Sequence, residues 1–283
     1  CYGGEIHTPN LDRLAANGLR FNNFYNTSRS CPTRASLLTG LYQHQAGIGR
    51  MTFDDHLPGY RGTLSKNAVT IAEALRGSGY HTGMVGKWHI AETPLRPDQR
   101  EWLAHHVYHE EFADKINYPT HRGFEDFYGT IYGVVNYFDP FSLVDGEEPV
   151  REVPEGYYIT DDLSQKAVSY VNKYAKDDKP FFLYLSYTAP QDVSKELESF
   201  DMDAYKDTYK EGWEVIRNRR YERIKQLGIF PGQEDFLSQR QFNDKWEDNP
   251  NAEWDARAMA VHAAMIDRMD QGIGQVLDAL EKN

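Results

Sequence analysis

An α/β fold is predicted, with a largely parallel sheet flanked by helices. Three observations predict it: short apolar runs at residues 82–85 and 181–187, helical patterns around them, and Gly or Pro where one pattern gives way to the other. The 283 residues suffice for one large domain with a core buried in several layers.

The elements follow in order. Thr8-Pro9-Asn10 opens a helix, with Thr8 suited to the N-cap, Pro9 to the first turn and Gly18 to the stop. Leu11, Leu14 and Ala15 give that helix one apolar face. Pro32 starts a helix well but cannot continue one, and Ala35 to Leu38 are helix-compatible, so a second helix begins just after Ser30. A third covers residues 68–76, ends at Gly77 and Gly79, and runs into the strand at 82–85. Thr160 is expected to cap a fourth, whose Leu163, Ala167, Tyr170, Val171 and Tyr174 recur at helical spacing. The continuous apolar run Phe181 to Tyr187 reads as a central strand buried on both faces. A long helix occupies residues 254–281, with Met265, Met269, Ile273, Val276 and Leu277 facing inward. Residues 192–250 read as a charged surface insertion, broken at Pro231-Gly232 and Asn249-Pro250. It is either a solvated helical excursion or the wall of a substrate cleft.

Composition narrows the partners. A formal net charge of -12 repels polyanions on average, so no nucleic-acid partner is expected, while a few converging cations can still bind a small anion. No window reaches the roughly 18 apolar residues that a membrane span needs. Two cysteines, Cys1 and Cys31, cannot make a disulfide framework. No signal peptide is present, and because the chain begins at Cys1 rather than Met, an upstream segment is expected to be missing.

Chemistry concentrates at Ser30-Cys31-Pro32-Thr33-Arg34-Ala35-Ser36-Leu37-Leu38-Thr39-Gly40. Ser30 lies at a helix N-terminus, where free N–H groups and the helix dipole favour developing negative charge. Arg34 lies one turn on and can reach back toward it. Such a group serves either oxyanion chemistry or an ordinary capped helix. A second constellation, Gly86-Lys87-Trp88-His89, follows the strand at 82–85. Ligands bind beyond such strand ends in open α/β sheets. Lys87 and His89 alternate with Trp88, so both can face one side.

These two segments resemble the signatures of the type I, formylglycine-dependent sulfatases, arylsulfatase-like and of the Ser-type bacterial subgroup. That family carries Cys or Ser, any residue, Pro, any residue, Arg, and then a helix ending in Thr-Gly. The motif fits here in one register only: Ser30, Pro32 and Arg34 match, whereas Cys31 touches Pro32 directly. Gly86-Lys87-Trp88-His89, about 50 residues on, is similar to the second signature. The flanks from Cys1 to Gly4, residues 7–15, and residues 41–47 also resemble the family, as do Arg122 to Asp139 and Pro180 to Pro190.

The resemblance implies an alkaline-phosphatase-like fold over residues 1–283, without the small C-terminal subdomain. It implies hydrolysis of sulfate esters, with Ser30 converted to formylglycine by a dedicated maturase, Arg34 holding it, and Lys87 and His89 contacting sulfate and formylglycine. It further implies one divalent cation, calcium, bound through position 30 and through Asp-Asp and Asp-Asn ligands that this chain does not contain. The substrate would be a sulfated small molecule or glycan, and the location periplasmic or secreted in a bacterium. One departure lies inside the chain: Ala189-Pro190 is followed by Gln191 where the family has His, and Gln cannot act as a general acid. Two alternatives stand beside the sulfatase reading: a phosphodiesterase or phosphonate hydrolase of the same superfamily, or a non-catalytic sulfated-glycan-binding remnant.

Overall fold

The apolar run at 181–186 and the run at 81–86 become neighbouring parallel strands, and one sheet grows from that pair. The computed structural model describes residues 2–92, 112–191, 203–230 and 245–283. Its strands are β1 (His81–Gly86), β2 (Asp126–Thr130), β3 (Leu143–Asp145), β4 (Glu148–Pro149) and β5 (Phe181–Ser186). They lie in the order β4-β3-β2-β1-β5. β1 pairs in parallel with both β2 and β5, and β3 and β4 extend the β2 edge antiparallel. The helices are α1 (Pro9–Ala16), α2 (Ser30–Thr39), α3 (Ile71–Gly77), α4 (Ile159–Tyr174), α5 (Trp213–Gln226) and α6 (Ala252–Lys282). The chain divides into two compact units: Cys1–Phe24 with Ala189–Gly274, and Tyr25–Thr188 with Gln275–Asn283.

The second unit holds the sheet. β1, with five of six residues buried and both edges paired, is the interior strand expected of the 181–187 run. β5 forms an edge among the described strands, and Phe181 to Leu185 are only half-buried. An apolar run reports that a strand's two faces are covered. It carries no information on whether both its edges are paired. The core beside the sheet gathers Trp88, Ile90, Phe124 and Phe127 with Cys31, Ala35 and Leu38 from the inner face of α2.

Helix ends show where local signals were overruled. Glu73 and Thr70 form a reciprocal capping box at α3: the Glu73 amide donates to Thr70 Oγ1 at 3.0 Å, and the Thr70 amide to Glu73 Oε2 at 2.7 Å. α4 starts from Tyr158, not Thr160, which is buried in its first turn. The Ile159 amide donates to the Tyr137 carbonyl at 2.9 Å, so a distant backbone acceptor replaces the expected side-chain cap. Leu163, Ala167, Tyr170, Val171 and Tyr174 all face inward as their spacing predicts.

The first unit is built on helices. Thr8 holds the N-cap position of α1 but makes no capping bond. The buried Asp270 carboxylate takes its place, accepting from the Asn10 amide at 3.0 Å and the Leu11 amide at 2.8 Å. No α1 residue is buried, so Leu11, Leu14 and Ala15 form no core face. Residues 203–230 and 245–250 of the 192–250 stretch are described, and the rest of it lies outside the described residues. Tyr205, Tyr209 and Ile216 bury themselves against Ala256, Ala260, Ala263 and Ala264 of α6, so this part is anchored. Arg220 pairs with Glu5 through both its Nε and Nη2, and the Tyr209 hydroxyl donates to Glu5 at 2.6 Å. α6 begins two residues before the predicted start at 254; Met265 and Val276 are buried, while Met269, Ile273 and Leu277 are half-buried.

Candidate active site

Three parallel strands end side by side, and the site lies just beyond their carboxyl ends, where open α/β sheets place ligands. From α2 comes the oxygen. Ser30 is the first residue of the helix, half-buried, and Arg29 before it has extended backbone. One turn on, Arg34 Nε donates to Ser30 Oγ at 3.0 Å. The same guanidinium reaches the sheet: Nη1 donates to the Lys87 carbonyl at 2.6 Å and to Ser186 Oγ. A planar fork can serve three acceptors at once, which a lysine cannot.

The exit of β1 supplies the rest. The Lys87 amide donates to the Ser186 carbonyl at 2.7 Å. The Trp88 and His89 amides donate to Thr130 and Ile131, so pairing with the neighbouring chain continues past Gly86. Trp88 turns into the core and gives its indole N–H to the Asn117 carbonyl at 2.9 Å. His89 departs from extended geometry, with φ of 55°. Its Nδ1 lies 3.1 Å from Ser30 Oγ.

Burial sets the charges. Lys87 is 2% exposed, and desolvation, with Arg34 nearby, brings its pKa down to about 8. His89 is pressed down to about 3, first by burial and then by Lys87 and Arg34, so its ring is neutral at neutral pH. Burial also lowers Arg34. Next door, Cys31 is fully buried with Sγ 3.8 Å from Met51 Sδ, and burial raises its thiol to about 11. Ser30 and Cys31 are adjacent in sequence but differ in surroundings: one oxygen sits among donors, one sulfur sits in the core.

Ser30, Arg34 and His89 thus meet in direct hydrogen-bond contact. Lys87 joins them through its carbonyl and through its field. Sequence reasoning missed Ser186. Its signal was a polar residue closing an apolar run at a strand's carboxyl end. Arg122, in the segment that resembles a substrate mouth, is buried instead, bonded to Glu73 and to the Leu64 and Ala68 carbonyls.

The Sulfatase family model matches residues 1–283. The chain belongs to the sulfatase family. This sulfatase chain is 31% identical over 286 residues to the arylsulfatase of Klebsiella aerogenes, covering 99% of the chain and 59% of that protein. It is 30% identical over 308 residues to an uncharacterized sulfatase of Schizosaccharomyces pombe (strain 972 / ATCC 24843), covering 99% of the chain and 51% of that protein. Among solved structures it matches Ps i-CgsB in complex with k-i-k-neocarrahexaose, with a TM-score of 0.60 and 26% identity, over 97% of this chain and 49% of that one. The alkaline-phosphatase-like fold is shared with a chain solved with its substrate D-glucosamine-2-N,6-O-disulfate, at TM-score 0.57 and 21% identity, over 100% of this chain and 59% of that one. The sulfatase chain therefore spans 49% to 59% of the length of these relatives.

The family's divalent cation does not fit the residues described. Ser30 Oγ is bonded to the Arg34 guanidinium, which repels a cation, and to the neutral His89 imidazole, and the Lys87 ammonium adds its positive field. No three carboxylate, imidazole or thiol groups converge to hold one among the described residues. These groups suit the opposite ligand, a tetrahedral oxyanion. Among the described residues no helix is long and apolar enough to cross a membrane.

Proposed function

We propose that the protein hydrolyses sulfate esters of small molecules or glycans, with a formylglycine made from Ser30 as nucleophile. The observation that carries this is the Ser30 oxygen, bonded at once to Arg34 Nε and His89 Nδ1 at the N-terminus of α2. The relatives named sulfatase support the reaction class. Hydration of the aldehyde gives a geminal diol. One hydroxyl attacks sulfur and gives up its proton, the S–O bond to the alcohol breaks, and the alcohol leaves carrying that proton. Arg34 and Lys87 stabilise the charge spread over the sulfate oxygens. In the second step the remaining hydroxyl loses its proton to neutral His89, the C–O bond to sulfate breaks, and the aldehyde returns.

Ser30 rather than Cys31 is the residue converted. Only Ser30 keeps the spacing to Pro32 and Arg34, whereas Cys31 touches Pro32 directly and is buried in the core. The test is co-expression of the full-length gene with an anaerobic radical-SAM maturase. The peptide carrying Ser30 should lose two hydrogens, and aryl sulfates should turn over faster than aryl phosphates. Modification at Cys31 would overturn the register. Faster phosphate turnover would assign the site to phosphodiesterase or phosphonate chemistry, and full conversion without turnover to a glycan-binding role.

A further inference from the structure

Gly133 lies on the turn after β2, two residues beyond Ile131, whose carbonyl holds the His89 amide at 3.1 Å. It is buried, and its φ lies outside the left-handed region, so the backbone does not demand glycine there. Space does. A Cβ built on Gly133 would stand 2.0 Å from His89 Cε1 and 2.2 Å from both ring nitrogens. The imidazole therefore lies flat on the Gly133 backbone, in the volume that any side chain would fill. Its opposite constraint is Ser30 Oγ at 3.1 Å from Nδ1. The ring is thus bounded by Gly133 and by Ser30, and His89 itself is held in a left-handed conformation costly for a residue with a Cβ.

We propose that Gly133 is a positioning residue, and that its missing side chain fixes the His89 imidazole against position 30. The point rests on the sulfatase reading for its catalytic meaning but not for its geometry. Elsewhere near the sheet's carboxyl ends, glycines let backbones approach: Cβ atoms on Gly86 and Gly129 would strike the Ser186 and Gly86 carbonyls. Gly133 differs because the atoms it admits belong to a side chain that faces the reacting oxygen. Added bulk there would move the imidazole while leaving the β1–β2 pairing intact. A shift of about 1 Å in a reacting group costs about 100-fold in rate.

The experiment uses the full-length protein with Gly133→Ala, His89→Ala and the double substitution. In unmatured protein at one fixed pH, the His89 ring 15N and 13C resonances should move in Gly133→Ala while the other imidazoles stay put. In matured protein, kcat should fall about 100-fold with KM changed less than about threefold. The loss of thermal stability caused by Gly133→Ala should vanish in the His89→Ala background, where the ring no longer competes for space. Unmoved His89 resonances would overturn the proposal, as would an equal stability loss with and without the ring. Should Gly133→Ala alone fail to fold, the double variant decides: a folded double supports the role, an unfolded double refutes it. Displaced His89 resonances in a protein that hydrolyses no sulfate ester would leave Gly133 in place and remove the sulfatase reading instead.

Discussion

A lysine 2% exposed, beside a guanidinium and with burial already lowering its pKa to about 8, is held at a cost to the fold. Its positive charge at the strand ends suits a bound anion. Lys87→Ala should therefore lower aryl-sulfate turnover of the matured full-length enzyme by about 100-fold or more. Its unfolding temperature should stay level or rise, because a like-charge contact with Arg34 is relieved. A large fall in unfolding temperature with normal specific activity would make Lys87 structural. The same group predicts a pH limb. The ammonium loses its proton as pH rises through about 8, so kcat/KM should fall there, and Lys87→Ala should abolish that limb. His89, neutral above about 3, adds no limb near neutrality. At this scale the sequence was legible wherever the link was local. Ser30 and Arg34 are four apart on one helix, and that spacing alone brings them together. Ser186 was illegible because its place beside Arg34 depends on the pairing of β1 with β5, which sets Gly86 opposite Ser186.

Elements show the same division between local and distant control. The capping box of α3 is written in four residues, and Thr70 does double duty there: its hydroxyl also donates to the Arg122 carbonyl at 2.8 Å. Thr70→Ala should cost about 1 kcal/mol for the cap, and more for the buried carbonyl left without its donor. Thr70→Ser should recover most of it, measured by urea unfolding. Where α4 begins was not written locally, since the Tyr137 carbonyl, far away in sequence, holds its first amide. The anchoring of α5 was hidden for a like reason. A charged helix looks solvated until Glu5, over two hundred residues away, is seen gripping Arg220. Burial pushes the Glu5 carboxyl up, but Arg220 and the Tyr209 hydroxyl outweigh it and bring the pKa down from 4.5 to about 2. A depressed carboxylate stabilises the fold above its unfolded value and stops doing so as pH falls through its folded value. Between pH 4.5 and 2, stability should thus fall more steeply in the parent protein than in Arg220→Gln, which has less to lose. Equal slopes by calorimetry would show that the pair contributes nothing.

For the whole molecule, the fold class was legible because alternating helices and apolar strands leave few arrangements open. The sheet's order was not, since β1 and β5 differ in which edges are paired rather than in composition. Phe181 to Leu185 of β5 stand half-exposed at the end of the described sheet, a row of apolar side chains and backbone groups of the kind proteins normally cover. The relatives run to nearly twice the length of this chain. The site has cations for an anion but no carboxylates for a metal among the described residues. All three observations lead to one expectation: residues 1–283 alone, even with formylglycine installed, should neither bind calcium tightly nor turn over aryl sulfates, and should be poorly soluble. The full-length gene product should do both and stay in solution. Calorimetric calcium titration of the two proteins side by side measures the difference. Micromolar calcium binding by residues 1–283 would overturn that expectation and mean that carboxylates such as Asp54, Asp55 or Asp139 rearrange to build the site.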